Sequence, residues 1–259
     1  MNEFLTLIEE SKLIEAYTWL CDPNNESSNA KVIDQFKQIL TSHFMRNRQS
    51  KLQSLTALRN AGFAPAIVFD VGAQVGTPEL FQAFPNAHLV MIEPVAECLP
   101  SLNRIKNELR SAIILNCAVS NINGFATLSM TPSRQYSSIE GKIGEENREI
   151  EVRTLDSIYE DIHIEGQILI KIDVDGPEIK VLQGAKSLLK NDCVLVIEAS
   201  IADENPRFGN IVEFMSAYGY QVYDIVDHLH RQRDMHLWQV DLVFIKSSSK
   251  FWGSKTEFF

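Results

Sequence analysis

Residues Ile67 to Gly76, which read I-V-F-D-V-G-A-Q-V-G, constrain this chain more than any other stretch. A short apolar run ends at an acid, Asp70, and opens into a loop with glycines at 72 and 76. Thr77, Pro78 and Glu79 follow: a residue that caps helices, one that suits the first helical position, and an acid for the positive end of the dipole. The order predicts strand, tight loop, helix. That is the opening unit of a doubly wound α/β sheet, with its ligand crevice at the carboxyl end of the strand. Without Cβ atoms, Gly72 and Gly76 let the backbone turn sharply, and carry Ala73 and Gln74 close to a ligand.

The loop does not read as a dinucleotide site. A pyrophosphate fingerprint has three glycines spaced G-x-G-x-x-G, whereas this loop has two and places Gln at 74. Asp70 would also repel a pyrophosphate. It suits a ligand with a cationic amino-acid end, and S-adenosylmethionine carries an ammonium, a sulfonium and a ribose. A second acid, Glu93, closes the next apolar run, His88 to Ile92, and is followed by Pro94. An acid roughly 20 residues beyond a glycine loop is well placed for ribose hydroxyls.

The apolar runs and breakers continue the alternation. Strands are expected near 67–71, 88–93, 112–117, 167–173, 193–198, 220–226 and 239–246, with helices between most of them. Two further strand-like runs, 124–130 and 148–155, interrupt the pattern and flank a polar stretch, 131–147. A polar loop of that length suggests a lid over the ligands. Before the sheet, apolar residues recur at helical spacing over 2–21, 32–44 and 52–58. Residues 1–61 are therefore read as a helical cap, 62–247 as the catalytic domain and 248–259 as a polar and aromatic tail.

Asp70 to Gly76, Glu93-Pro94, Asn116 to Ser120, and Lys171 to Glu178 together resemble the FkbM-type family of class I S-adenosylmethionine-dependent methyltransferases. The likeness runs from about Phe63 to Lys246. Asp175 and Pro177 depart from the family pattern, which has Glu and a bulkier or Ala residue there. The resemblance implies a mostly parallel seven-stranded Rossmann-like sheet whose last strand is antiparallel, with an inserted β-hairpin-like element. It implies S-adenosylmethionine as cofactor, with Asp70, Gly72, Ala73, Gln74, Gly76, Glu93 and Pro94 around it. Asn116, Cys117 and Ala118 become candidate adenine neighbours. Ser138 belongs to a Ser-Ser element near the cofactor entrance, and Asp173 lies at the cofactor as well. A helical appendage in such enzymes shapes the acceptor pocket or a homodimer contact. With no chemistry-bearing cluster visible in it, plain packing is the expectation, and Arg46, Arg48 and Lys51 are read as a solvated helix face.

Methyl transfer is an in-line displacement, so the protein aligns two substrates and accepts a proton. Asp173, at the end of its strand, is the first candidate for base or acceptor-positioning group, and Glu198 is the second. Glu178, in a helix first turn, suits a dipole role. His228, His230 and His236 follow a strand at the same end, and His228 is a candidate base. The three histidines could hold a metal together with a carboxylate, and metal-assisted O-methylation would need Asp173 and another carboxylate as oxygen ligands, with Mg²⁺ as the natural ion; this is not favoured, and no metal ligands are assigned. Asp241, inside an otherwise apolar run, is expected to pair with a neighbour.

The totals set limits. A net charge of −10 argues against a nucleic-acid partner. Four cysteines show no metal spacing and fit a reducing cytoplasm. No apolar run is long enough to cross a bilayer, and no leader peptide is read. The reading is O-methylation of a hydroxyl on a small molecule, such as a sugar unit or a polyketide or peptide product. The alternatives are a methyltransferase-like scaffold without turnover and an NAD-type oxidoreductase.

Overall fold

The computed structural model describes residues 48–130, 137–138, 146–174, 176, 178–202 and 206–252. The helical stretches expected over 2–21 and 32–44 and most of the tail lie outside the described residues, as do most of the 131–147 loop and Asp175 and Pro177. From Gln49 on, the described residues belong to one compact unit.

Its centre is a seven-stranded sheet. The strands in chain order are β1 (Pro65–Val71), β2 (His88–Ile92), β3 (Ala112–Leu115), β8 (Gln167–Ile172), β9 (Cys193–Ser200), β10 (Tyr220–His230) and β11 (Leu237–Lys246). Four short strands between β3 and β8 form a second sheet: β4 (Ala118–Val119), β5 (Gly124–Met130), β6 (Ser137–Ser138) and β7 (Glu146–Arg153). The order across the large sheet is β10-β11-β9-β8-β1-β2-β3. β1, β2, β3, β8 and β9 pair in parallel, and β11 runs antiparallel to both β9 and β10. The expected doubly wound sheet with an antiparallel last strand is therefore present.

Alternation within the strands explains why helices cover both faces. Ile67, Phe69 and Val71 of β1 join one buried cluster with Leu155 and Ile158 of α4 (Leu155–Ile162), Val181 and Leu182 of α5 (Glu178–Gln183), and Ile211 and Met215 of α6 (Phe208–Ala217). Val68, with Leu89, Met91, Leu169, Val196 and Val243, joins the other. That second face is covered by Leu55 and Leu58 of α1 (Lys51–Asn60), Leu80 and Ala83 of α2 (Pro78–Ala83), and Leu102 of α3 (Leu99–Glu108). Ser50 and Gln53 close a capping box at the start of α1, which fixes where that helix begins.

The interrupting strands pair as expected: β5 and β7 run antiparallel from Gly124↔Val152 to Met130↔Glu146. The 118–119 strand is an addition, pairing Ala118 with Val152 and Val119 with Arg153. β10 also runs on to His230, with irregular pairing between Val226 and Leu229. His228 and His230 thus lie within the strand rather than after it. Exposed polar residues on an edge strand carry no hydrophobic alternation to read.

Candidate cofactor and catalytic site

β1 and β8 are neighbours, and their chains leave the sheet toward opposite faces, so the crevice opens at their carboxyl ends. Gly72 and Asp173 are the first residues beyond these strands, and the Asp173 N–H donates to Val71 O at 3.0 Å. A Cβ at Gly72 would stand 1.8 Å from the Asp173 carbonyl oxygen, so only glycine permits this approach. Gly72 and Gly76 take φ of 76° and 96°. Gln74, where a dinucleotide loop has its middle glycine, also takes a left-handed φ of 46°. The turn is thus glycine-like at a position that lacks glycine.

Glu93 fastens this loop. Its Oε2 accepts the Gln74 N–H at 2.8 Å, and its Oε1 accepts the Val95 N–H at 2.8 Å. Burial pushes the Glu93 carboxyl above its ordinary value, against the two backbone donors that favour ionisation. An ionised carboxylate has about four lone-pair sites, so two remain for hydroxyl protons such as those of a ribose. Asn116 ties the ends of β2 and β3 together, its Nδ2 donating to Glu93 O at 2.8 Å and to Pro94 O at 3.1 Å. Cys117 and Ala118 are buried, and Cys117 belongs to the core. Ser138 is described only as backbone, paired with Ser129.

Asp70 is fully buried. Its Oδ1 accepts the Thr77 hydroxyl at 3.0 Å and lies 3.4 Å from Lys171 Nζ. Thr77 therefore does not cap α2 through its side chain as expected; its hydroxyl is drawn inward by the buried carboxylate. Pro78 and Glu79 occupy the first turn as read. Asp70 Oδ2 has no hydrogen-bond partner among the described residues.

The same face of the sheet carries a row of acids. Ile172 pairs with Val71 and Ile197, Val71 pairs with Ile92, and Asp241 pairs with Glu198. One residue further on, Glu93, Asp173, Glu198 and Asp241 reach one level at the carboxyl end. The Asp173 side chain is 40% exposed, with Lys171 Nζ 2.9 Å from Oδ2. Glu198 Oε1 accepts the Gln239 amide at 2.7 Å. Lys171 is enclosed by Asp70, Asp173 and the Gly72 carbonyl oxygen, 3.5 Å away. Burial works to discharge it, yet the two aspartates outweigh burial and hold its pKa above the ordinary lysine value.

Asp241 finds its expected partner in Lys51, whose Nζ lies 2.6 Å from Asp241 Oδ2 and 3.5 Å from Asp227 Oδ2. Lys51 is thus buried, not on a solvated face, because two carboxylates from the β10–β11 hairpin enclose it. The face also brings in Lys171, Gln239 and Lys51, which sequence reasoning did not place at the site. The signal for Lys171 was a lone charge inside Q-I-L-I-K-I-D. His228 is exposed on edge strand β10, with β11 and β9 between it and β8, and is not brought beside Asp173. Glu178 is buried in the first turn of α5, with Arg207 Nε 3.1 Å from its Oε2. Among the described residues no three His, Cys, Asp or Glu side chains are grouped to hold a metal ion.

No curated protein matches the chain. Solved structures similar to it include precorrin-6y C5,15-methyltransferase from Geobacter metallireducens. That pair is 14% identical over 86% of this chain and 94% of the other, with a TM-score of 0.40. Another is 1,6-didemethyltoxoflavin-N1-methyltransferase from Burkholderia thailandensis, solved with 1,6-didemethyltoxoflavin and S-adenosylhomocysteine bound. It is 13% identical over 82% of this chain and 89% of that one, with a TM-score of 0.44. The methyltransferase FkbM domain matches residues 70–222, more than half of the chain and the whole span from Asp70 through β9. With that match over the glycine loop, Glu93 and the Lys171–Asp173 strand end, the chain belongs to the FkbM family of methyltransferases.

Proposed function

We propose that this methyltransferase uses S-adenosylmethionine to methylate a hydroxyl of a small, uncharged or cationic acceptor. The observation that carries the reading is the Glu93 carboxylate holding the Gln74 N–H at 2.8 Å beside a loop that only Gly72 lets approach Asp173. This arrangement supports a cofactor with a ribose over Glu93 and an amino-acid end over the glycine loop. When bound, that cofactor supplies a methyl group on a sulfonium, already activated for displacement.

The chain's own residues then have to align the acceptor and take its proton. Alignment contributes roughly 7–11 kcal/mol in favourable intramolecular models. Asp173 is the acid best placed for the proton, since its side chain is 40% exposed at the strand end and Lys171 fixes its Oδ2. Glu198, held by Gln239, borders the same space toward β11. The acids outnumber the lysines along this face, which disfavours a phosphate-bearing acceptor.

The test is transfer of an isotopically labelled methyl group from S-adenosylmethionine to panels of hydroxylated small molecules, amines and RNA. An O-methyl ether identified by mass spectrometry is the expected product. Label found only on nitrogen would remove the hydroxyl reading, and label found only on RNA would remove the small-molecule acceptor, both leaving the methyltransferase intact.

A further inference from the structure

An acid-lined crevice suits the ammonium and sulfonium of S-adenosylmethionine but not its carboxylate, which needs a cation of its own. At the crevice end of this face two ammonium groups are built in, Lys171 and Lys51. Each has three N–H donors. Those of Lys171 meet Asp70 Oδ1, Asp173 Oδ2 and Gly72 O at 3.4, 2.9 and 3.5 Å, so all three are engaged. Lys51 meets two carboxylate oxygens, Asp227 Oδ2 and Asp241 Oδ2. Its third N–H has no partner among the described residues.

Lys51 is also held in place from several directions. It is the first residue of α1, behind the Ser50 cap, and its main-chain N–H donates to Asp227 Oδ1 at 3.1 Å. Asp227 is itself fixed at a left-handed φ of 52°, with its N–H donating to Gln49 O at 2.9 Å. The charges of Glu79, in the first turn after the glycine loop, and of Lys171 both act on Lys51. The ammonium stands over β11 on the crevice face, in a helix that packs against the glycine-loop helix α2 and against β10. Lys51, Asp227 and Asp241 all lie outside residues 70–222, the span of the family match.

We infer that Lys51 binds the methionine carboxylate of the cofactor, making α1 part of the cofactor site. The inference rests on the S-adenosylmethionine reading above. A charge-assisted hydrogen bond of this kind is worth roughly 1.5–3 kcal/mol, or about 10- to 100-fold in affinity.

The experiment compares S-adenosylmethionine with its decarboxylated form, by calorimetry, on the full chain and on Lys51→Met and Lys51→Arg. The wild type should bind the carboxylate-bearing ligand at least about 10-fold more tightly. Lys51→Met should lose that preference while keeping its affinity for the decarboxylated ligand, and Lys51→Arg should restore most of it. A wild type that binds both ligands equally overturns the assignment, even if Lys51→Met does not fold. Equal weakening toward both ligands in Lys51→Met also overturns it, as the role is then structural. A wild type that binds neither ligand overturns the cofactor reading itself.

Discussion

Lys171 stands directly opposite Asp70 in the register of two adjacent parallel strands, with Nζ 3.4 Å from Oδ1. Both residues are buried beneath the crevice, so neither charge is exposed to water. Removing one partner of a buried pair costs about 3–5 kcal/mol, because the other is left uncompensated. Lys171→Met is expected to lose stability by about that much at neutral pH in denaturant unfolding. The sign follows from the raised lysine: its contribution is complete below the ordinary value of 10.5 and is lost only as pH rises through the higher folded value. Wild-type stability should therefore show no lysine step between pH 6 and 9, roughly. A Lys171→Met variant as stable as wild type would show that the pair contributes nothing.

Asp173→Asn keeps the shape of the strand end and the contact with Gly72. Cofactor affinity should stay within a few fold of wild type, while methyl transfer falls by about 10²–10⁴-fold, the usual worth of a positioned base. Full activity in this variant would pass the proton-accepting role to Glu198, and Glu198→Gln is the companion measurement.

Gly72→Ala places a methyl group 1.8 Å from the Asp173 carbonyl oxygen at a φ of 76°. Both effects push the β1 and β8 strand ends apart. Cofactor binding should be lost, with the melting temperature lowered. Gln74→Gly is the contrasting variant: it removes a left-handed side-chain position that costs roughly 1–2 kcal/mol, and should keep binding.

Glu93 gives the cofactor site a pH dependence. Burial raises its carboxyl above 4.5, so in the folded chain it takes up a proton at a higher pH than an ordinary glutamate. Only the ionised form accepts at both oxygens. Cofactor affinity should therefore fall as pH drops, beginning above the ordinary carboxylate range. A raised carboxyl stabilises the fold below its unfolded value and loses that contribution as pH rises through the folded value. Ionised Glu93 thus works against stability at neutral pH. Glu93→Gln should bind S-adenosylhomocysteine about 10- to 100-fold more weakly, with little pH dependence, and without loss of stability at pH 7 due to the missing charge.

The sheet was legible because its strands are short apolar runs closed by acids: Asp70, Glu93, Asp173 and Glu198 all stand out against apolar neighbours. Pairing was less legible. A sequence does not show that Asp70 faces Lys171, or that Glu198 and Asp241 share a level, because register is set by long-range contacts. Thr77 illustrates the limit: its propensity fits a cap, yet a buried carboxylate seven residues earlier takes its hydroxyl. Lys51 illustrates it further. Among basic neighbours it reads as a solvated residue, and only the return of the β10–β11 hairpin shows that it is enclosed.

The glycine loop, Glu93 and Asp173 make up the site assigned here to S-adenosylmethionine. Calorimetry of the full chain with S-adenosylmethionine and S-adenosylhomocysteine, with NAD as control and with and without Mg²⁺, tests it most directly. Saturable one-to-one binding of both methionine-derived ligands, weakened by Glu93→Gln, with no heat from NAD, is the expected result. Folded protein that binds NAD tightly and neither methionine-derived ligand would contradict that assignment.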